Sequence, residues 1–401
     1  MQSSMQKGKV YIKALLALGV LAGFSVTTLF ATGNEHLIRA FQLTYMKGHS
    51  TANINDHRDF DTQLIGAGEP QPWAEHSAYN QQPLPEKLHK LLTESNSAAF
   101  LVIKDGQLLA EHYFAPYSAT SKTNSFSMAK TMNTLLVASA IEDGLIESFD
   151  TPVEQLIPEL KGRADGVTLA HLSAMTSGLE WTENYYSPLS PVAKLVYGYD
   201  VESYVLQHDY NGKPGENYYY SSASTQVLGV ALQRVLGDKG VSEYLAEKYW
   251  QPLGMNDDAL WHTDSNGTEL VYCCVSTNAR NFAKFGQLLL QDGQWQGEQL
   301  VAVDFVERML APDRETYYGH SVWIDDRPQA NFKAMIGHLG QYVAMVPEHN
   351  MVVVRLGEFR HPDYEKTTGS PIPDELGIYV DETIKWLAGN SEANEMQQAG
   401  L

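Results

Sequence analysis

The 401-residue chain has only two cysteines, and they are adjacent, Cys273 and Cys274. Neighbouring cysteines rarely bridge with ordinary geometry, so no disulfide framework is expected. No cysteine and histidine pattern has the spacing of a zinc site, and neither metal nor cofactor is expected. Basic residues are also scarce, 28 Lys and Arg against 48 Asp and Glu, for a net charge of −20. So acidic a chain argues against a binder of phosphate backbones, and nucleic acid is not expected as a partner. Internal repeats and low-complexity tracts are missing too. What remains is a globular chain long enough for two domains or one composite one.

Only one long apolar run is present, near the N-terminus. Lys7, Lys9 and Lys13 precede an uncharged stretch over residues 14–33. Residues 14–24 have the length of a signal-peptide core, and residues 25–33 are smaller and more polar, ending in the imperfect cleavage site Ala31-Thr32-Gly33. The run is also just long enough for a short membrane anchor. Cleaved or anchored, the lysines stay on the cytoplasmic side. The expectation is an exported, periplasmic protein, soluble or held to the inner membrane through residues 14–33.

Residues 34–95, rich in Asn, Gln, Pro and Asp, read as an irregular arm with one short helix near 37–45. Two apolar runs, 98–103 and 108–114, flank Asp105-Gly106 and predict a hairpin. Strand signals fade over 146–264, which reads as a helical subdomain. It contains a short helix within 168–179 stopped by Gly178, and an amphipathic helix over 223–236. A helix over 278–291 capped by Ser276 or Thr277, three strands (332–338, 341–346, 351–356) and a closing helix over 374–387 complete the chain. The division is thus a sheet region, 96–145 with 265–390, interrupted by the helical subdomain and followed by a tail at 391–401.

The chemistry centres on Ser127-Met128-Ala129-Lys130. Between Met128 and Ile141 the only charge is Lys130, so the helix predicted there is apolar on every side and belongs in the interior. Ser127 at its start and Lys130 one turn on share a face. Burial lowers the pKa of a lysine and makes it a base. A hydroxyl beside such an amine, at a helix N-terminus, is an arrangement for an activated serine nucleophile.

Two further landmarks follow in order, Tyr220-Ser221-Ser222 and His338-Leu339-Gly340. With Met175-Thr176-Ser177-Gly178-Leu179, Pro252-Leu253-Gly254-Met255 and the stretch from Ala283 to Leu290, they make the chain resemble the serine hydrolases related to class C β-lactamases, D,D-peptidases, family VIII esterases and 6-aminohexanoate-dimer hydrolases. The resemblance spans roughly residues 60–390. It implies a mixed α/β (α+β) fold of the β-lactamase/transpeptidase type, an antiparallel sheet flanked by helices with a mostly helical subdomain. It also implies Ser127 as nucleophile, Lys130 and Tyr220 as the proton-handling pair with the general base open between them, and an oxyanion hole from the N–H groups of Ser127 and Gln341. Ser222 takes the place of the family's asparagine, and Tyr185 and Tyr186 fall in a loop like the substrate loop of 6-aminohexanoate-dimer hydrolases. His171, inside a helical segment, reads as structural.

The departures bear on substrate. Where the family has Lys-Thr-Gly this chain has His338-Leu339-Gly340, which lacks both the fixed positive charge and the hydroxyl that would hold a carboxylate. The expected substrate is therefore a small ester, linear amide or peptide. A peptidoglycan D,D-peptidase or weak β-lactamase is the alternative among enzymes. A silent envelope binding or sensor domain is the alternative outside them, and retention of Ser127, Lys130 and Tyr220 together argues against it.

Overall fold

The computed structural model describes residues 26–49, 51–327, 331–364 and 370–398; residues 14–25 of the N-terminal run and the last three residues of the chain lie outside these. Among the described residues no helix is long and apolar enough to cross a membrane.

Alternating and continuous apolar runs build one antiparallel sheet of six strands. In spatial order these are Gln107–Tyr113, Ser97–Lys104, Met351–Gly357, Gln341–Val346, Phe332–Gly337 and Trp323–Asp325. The register pairs Val353 with Val102, Val354 with Val343, and Met335 with Val343. Because side chains alternate across a strand, each strand feeds two cores. Phe100, Val102, Ala344 and Val353 meet Leu88, Leu92, Leu376 and Val380 of the two helices Glu86–Glu94 and Asp374–Gln398. Leu101, Ile103, Val343 and Val352 face the opposite side, toward the helices Ala129–Glu142 and Ala279–Leu290. The first of these is buried at every position from Ala129 to Ala140, as an apolar helix must be.

Several expectations need correction. The arm at 34–95 is not irregular: besides His36–Leu43 it supplies the helix Glu86–Glu94 and the strand Thr62–Ile65. That strand opens a second sheet with Ala259–His262, Val275–Thr277 and Thr123–Asn124. Scattered polar residues masked a segment whose apolar anchors are few: Ile54, Ile65, Leu88, Leu91 and Leu92 are buried, while Phe41, Tyr45, Met46 and Leu64 stay exposed. The helix at 168–179 ends early, at Ser173, because Met175 already takes a positive φ of 62°. Asn278, rather than Ser276 or Thr277, caps the helix Ala279–Leu290 through its side chain, which accepts from the Asn281 N–H. The closing helix runs on to Gln398 instead of ending at 387. Cys273 and Cys274 are joined as a disulfide; Cys274 has φ +77°, a left-handed bend that folds the backbone back between the two side chains.

One buried cation organises the end of the sheet nearest the nucleophile. Arg355 is 1% exposed and donates to the carbonyls of Leu339 (3.1 Å), Gly340 (2.7 Å), Ser95 (2.6 Å) and Phe359 (2.9 Å), and to Ser97 Oγ (3.0 Å). Gly340 has φ +84°, and a Cβ there would lie 2.3 Å from the Arg355 guanidinium. Arg355→Met would strand these acceptors, so a loss of about 3–5 kcal/mol is expected, seen as a melting temperature lower by roughly 5–10 °C. A melting curve unchanged from wild type would show that the turn holds itself.

Candidate active site

The candidate nucleophile, Ser127, sits on a forced turn. Asn124, at the end of its short strand, accepts the Phe126 N–H on its side chain (2.8 Å), and Ser125 exchanges bonds with Val275 through its N–H (2.8 Å) and Oγ (3.0 Å). Phe126 then takes φ +44°, a region unfavourable for a bulky residue. The turn continues as a single 3₁₀ turn, Phe126–Met128, into the helix Ala129–Glu142. Strand Phe332–Gly337 abuts it so closely that a Cβ on Gly337 would lie 2.2 Å from the Ser125 carbonyl oxygen. Only glycine fits between the sheet and the nucleophile turn.

Lys130 is 1% exposed, and its Nζ reaches three oxygens: Ser127 Oγ at 3.1 Å, Ser222 Oγ at 3.2 Å and the Tyr272 carbonyl at 3.0 Å. It also lies over the rings of Tyr220 (5.1 Å) and Tyr272 (5.6 Å). Burial, opposed by the Glu183 carboxylate, brings its pKa down to about 8. Tyr220 is held by Trp323 (ring centroids 5.4 Å apart) and Tyr318 (6.1 Å), and Ser127 lies beside its hydroxyl. Burial pushes that hydroxyl well above its usual range. At neutral pH Tyr220 is therefore a proton donor, and Lys130 is the group with an accessible basic form.

Ser222 opens the helix Ser222–Leu236, after the N-cap Ser221. Its hydroxyl donates to Glu183 Oε1 at 2.6 Å while accepting from Lys130, so its hydrogen is committed inside the protein instead of being offered to a substrate. Glu183 is the residue that sequence reasoning missed. It accepts from Ser222 Oγ, from Tyr185 OH (2.5 Å), from Trp181 Nε1 (2.5 Å) and from the Ser222 N–H (2.9 Å). A lone carboxylate in a chain with 48 acidic residues gives no contrast. Tyr272 was missed as well; it acts through its carbonyl, which no side-chain motif reports.

The remaining expected residues divide. Tyr185 is brought in: its hydroxyl binds Glu183 and its ring stacks on His338 (5.1 Å, 21° between planes). Tyr186, 84% exposed, stands in solvent with its N–H on Asn184 Oδ1. His338 also meets Phe126 edge-on at 5.6 Å, and burial, with Arg360 adding to it, lowers its pKa to about 4. It is neutral at pH 7. Leu339 (φ +61°) and Gly340 form the turn gripped by Arg355. The Gln341 side chain faces inward, donating to the carbonyls of Gly357 (2.7 Å) and His338 (3.2 Å), which fixes the turn from below. His171 is a capping residue: Thr168 Oγ1 accepts the His171 N–H, and His171 Nδ1 accepts the Thr168 N–H. Among the described residues no group of three or more His, Cys, Asp or Glu could hold a metal ion.

A serine, a buried lysine and a tyrosine converging between a sheet and a helical region define a serine hydrolase of the β-lactamase fold. Residues 87–369 match the Beta-lactamase family, and the chain belongs to it. Among proteins of known name it is similar to the 6-aminohexanoate-dimer hydrolase of Paenarthrobacter ureafaciens, 28% identical over 305 residues that cover 70% of this chain and 77% of that protein. Its fold is similar to that of a Bacillus anthracis protein provisionally assigned as a 6-aminohexanoate-dimer hydrolase (TM-score 0.69, 21% identity, 88% and 94% of the two chains). It is also similar to a family VIII carboxylesterase (TM-score 0.54, 16% identity, 75% and 98%). At such identities the structures establish the shared fold. The expected family and fold class are thereby confirmed.

Proposed function

We propose that the protein cleaves a neutral ester or linear amide through an acyl-enzyme on Ser127. The observation that carries the reading is the hydrogen count at Lys130. A neutral amine has two N–H bonds and one lone pair. The Tyr272 carbonyl can only accept, and the Ser222 hydroxyl has given its hydrogen to Glu183, so both N–H bonds are used. The lone pair is left for the Ser127 hydroxyl at 3.1 Å. Lys130 takes that proton as Ser127 Oγ attacks the carbonyl carbon. Backbone N–H groups at Ser127 and Gln341 receive the oxyanion. Tyr220, protonated and beside Ser127, supplies the proton to the departing alcohol or amine, and in reverse deprotonates the water that releases the acyl group.

The site argues for neutral substrates. The His338-Leu339-Gly340 turn carries no charge, and the positive charge that acts on both His338 and Tyr220 is that of Arg360. The similarity to a 6-aminohexanoate-dimer hydrolase supports linear amides among the substrates. Purified protein is expected to hydrolyse short p-nitrophenyl esters with higher kcat/KM than nitrocefin. His338→Lys with Leu339→Thr should move that ratio toward nitrocefin by ~10–100-fold at low ionic strength, the worth of one charge-assisted bond. A wild-type preference for nitrocefin would defeat the reading and make Arg360 the candidate carboxylate ligand.

Export belongs to the same proposal, supported by Lys7, Lys9 and Lys13 ahead of the apolar stretch at 14–24. Fractionation of expressing cells checks it, and recovery of the intact chain from the cytosol would overturn it.

A further inference from the structure

We propose that Glu183 is a positioning residue that acts through Ser222 to aim the lone pair of Lys130 at Ser127. The inference rests on the acyl-enzyme reading above and adds the group that orders its hydrogen bonds.

All four partners of the Glu183 carboxylate are donors. Ser222 Oγ (2.6 Å) and Tyr185 OH (2.5 Å) share Oε1, while Trp181 Nε1 (2.5 Å) and the Ser222 N–H (2.9 Å) share Oε2. A carboxylate accepts all four, and no neutral side chain of that shape does. The consequence reaches Lys130 one bond away. Ser222 has a single hydrogen, and the carboxylate holds it. Ser222 can then only accept from Lys130, which fixes the direction of the chain from Lys130 through Ser222 to Glu183. Without the carboxylate the Ser222 hydroxyl is free to rotate and donate into the lysine lone pair. It then competes with Ser127 for the same electrons, and Ser127 keeps its proton.

Charge adds to direction. When Lys130 becomes an ammonium during acylation, the Glu183 carboxylate lies beyond one hydroxyl from it and stabilises it. The other titratable groups facing Lys130 are the phenols of Tyr220 and Tyr272, both kept protonated by burial. Glu183 is thus the one anion there among the described residues that acts on the lysine. Its Tyr185 bond also ties the loop carrying Tyr185, stacked on His338, to the same carboxylate.

Glu183→Gln tests this with little change of shape. The amide puts an N–H₂ donor where two donors already point. Turnover of a p-nitrophenyl ester should fall ~10–100-fold. The acid limb of kcat/KM should move to lower pH, because removing a negative charge lowers the pKa of Lys130. Ser222→Ala should cost a similar factor, and the double variant Glu183→Gln/Ser222→Ala little more than either alone. Additive losses with an unmoved acid limb would overturn the proposal and leave Glu183 a brace for the loop. Tyr185→Phe separates the two roles: it removes the loop's bond to Glu183 and should leave the acid limb in place. If it shifts the limb as far as Glu183→Gln does, the coupling does not run through Ser222. Mass spectrometry of wild-type protein with the same ester tests the acyl-enzyme separately. An adduct on Ser127 with additive variants refutes only the role of Glu183, whereas the absence of any adduct refutes the underlying mechanism.

Discussion

Ser127→Ala is expected to abolish both the covalent adduct formed with a p-nitrophenyl acyl ester and its catalytic hydrolysis, a loss of at least ~10⁴-fold in kcat. The size follows from what is left. Lys130 and Tyr220 would remain in place, poised around an atom that no longer exists, and water is a poor substitute because nothing holds it where Ser127 Oγ stood. Residual hydrolysis would come from the oxyanion donors and from binding alone. The variant should fold normally, since Ser127 contributes one bond to Lys130. Intact-mass measurement decides the matter. Full turnover by the alanine variant, or an adduct that persists in it, would place the nucleophile elsewhere.

Lys130→Met and Tyr220→Phe are each expected to lower kcat by ~10²–10⁴-fold with little change in KM. They should differ in their pH profiles. In the proposed mechanism Lys130 works as the free amine, and burial brings its pKa down to about 8. Wild-type kcat/KM should therefore climb roughly tenfold per pH unit below that value and level off above it. Lys130→Met removes the titrating group, and its residual rate should be flat across the same range. Tyr220→Phe keeps Lys130, so the rising limb should survive at a lower level. A flat wild-type profile between pH 6 and 9 would mean that Lys130 is not the group whose deprotonation limits acylation. A Tyr220→Phe enzyme as fast as wild type would make Tyr220 a packing residue between Trp323 and Tyr318.

The parts of the fold that were legible in the sequence were those where one physical rule acts alone. The hairpin around Asp105-Gly106 and the strands from Phe332 to Gly357 follow from apolar runs broken by turn residues. The helix Ala129–Glu142 follows from the near absence of charge. The strand Thr62–Ile65 could not be read, because a short strand gains its stability from its partner Ala259–His262, far away in the chain. The helix Glu86–Glu94 is hidden for a related reason: it is polar except for Leu88, Leu91 and Leu92, which the sheet covers. At the site, Ser127 and Lys130 were legible because three residues of helix fix their spacing. Their surroundings were not. The Tyr272 carbonyl and the Glu183 carboxylate reach Lys130 through the fold alone, and the Cys273–Cys274 bridge depends on a backbone conformation that residue types do not reveal.

The cradle of Lys130 has a consequence for the order of events during synthesis. Its oxygens come from positions 127, 222 and 272, and the turn that borders Ser127 comes from 337–341. A chain emerging N-terminus first therefore carries its nucleophile and lysine for the time needed to add some two hundred further residues before the reactive arrangement can close. Until then Lys130 is hydrated and protonated, and Ser127 is an ordinary hydroxyl. On the proposed mechanism the hydrolase is expected to be inert as a nascent chain and to become reactive only when nearly all of it has folded. Reactivity at Ser127 thus reports on completion of the whole molecule, and a truncated product lacking the last strands would be chemically silent without any inhibitor.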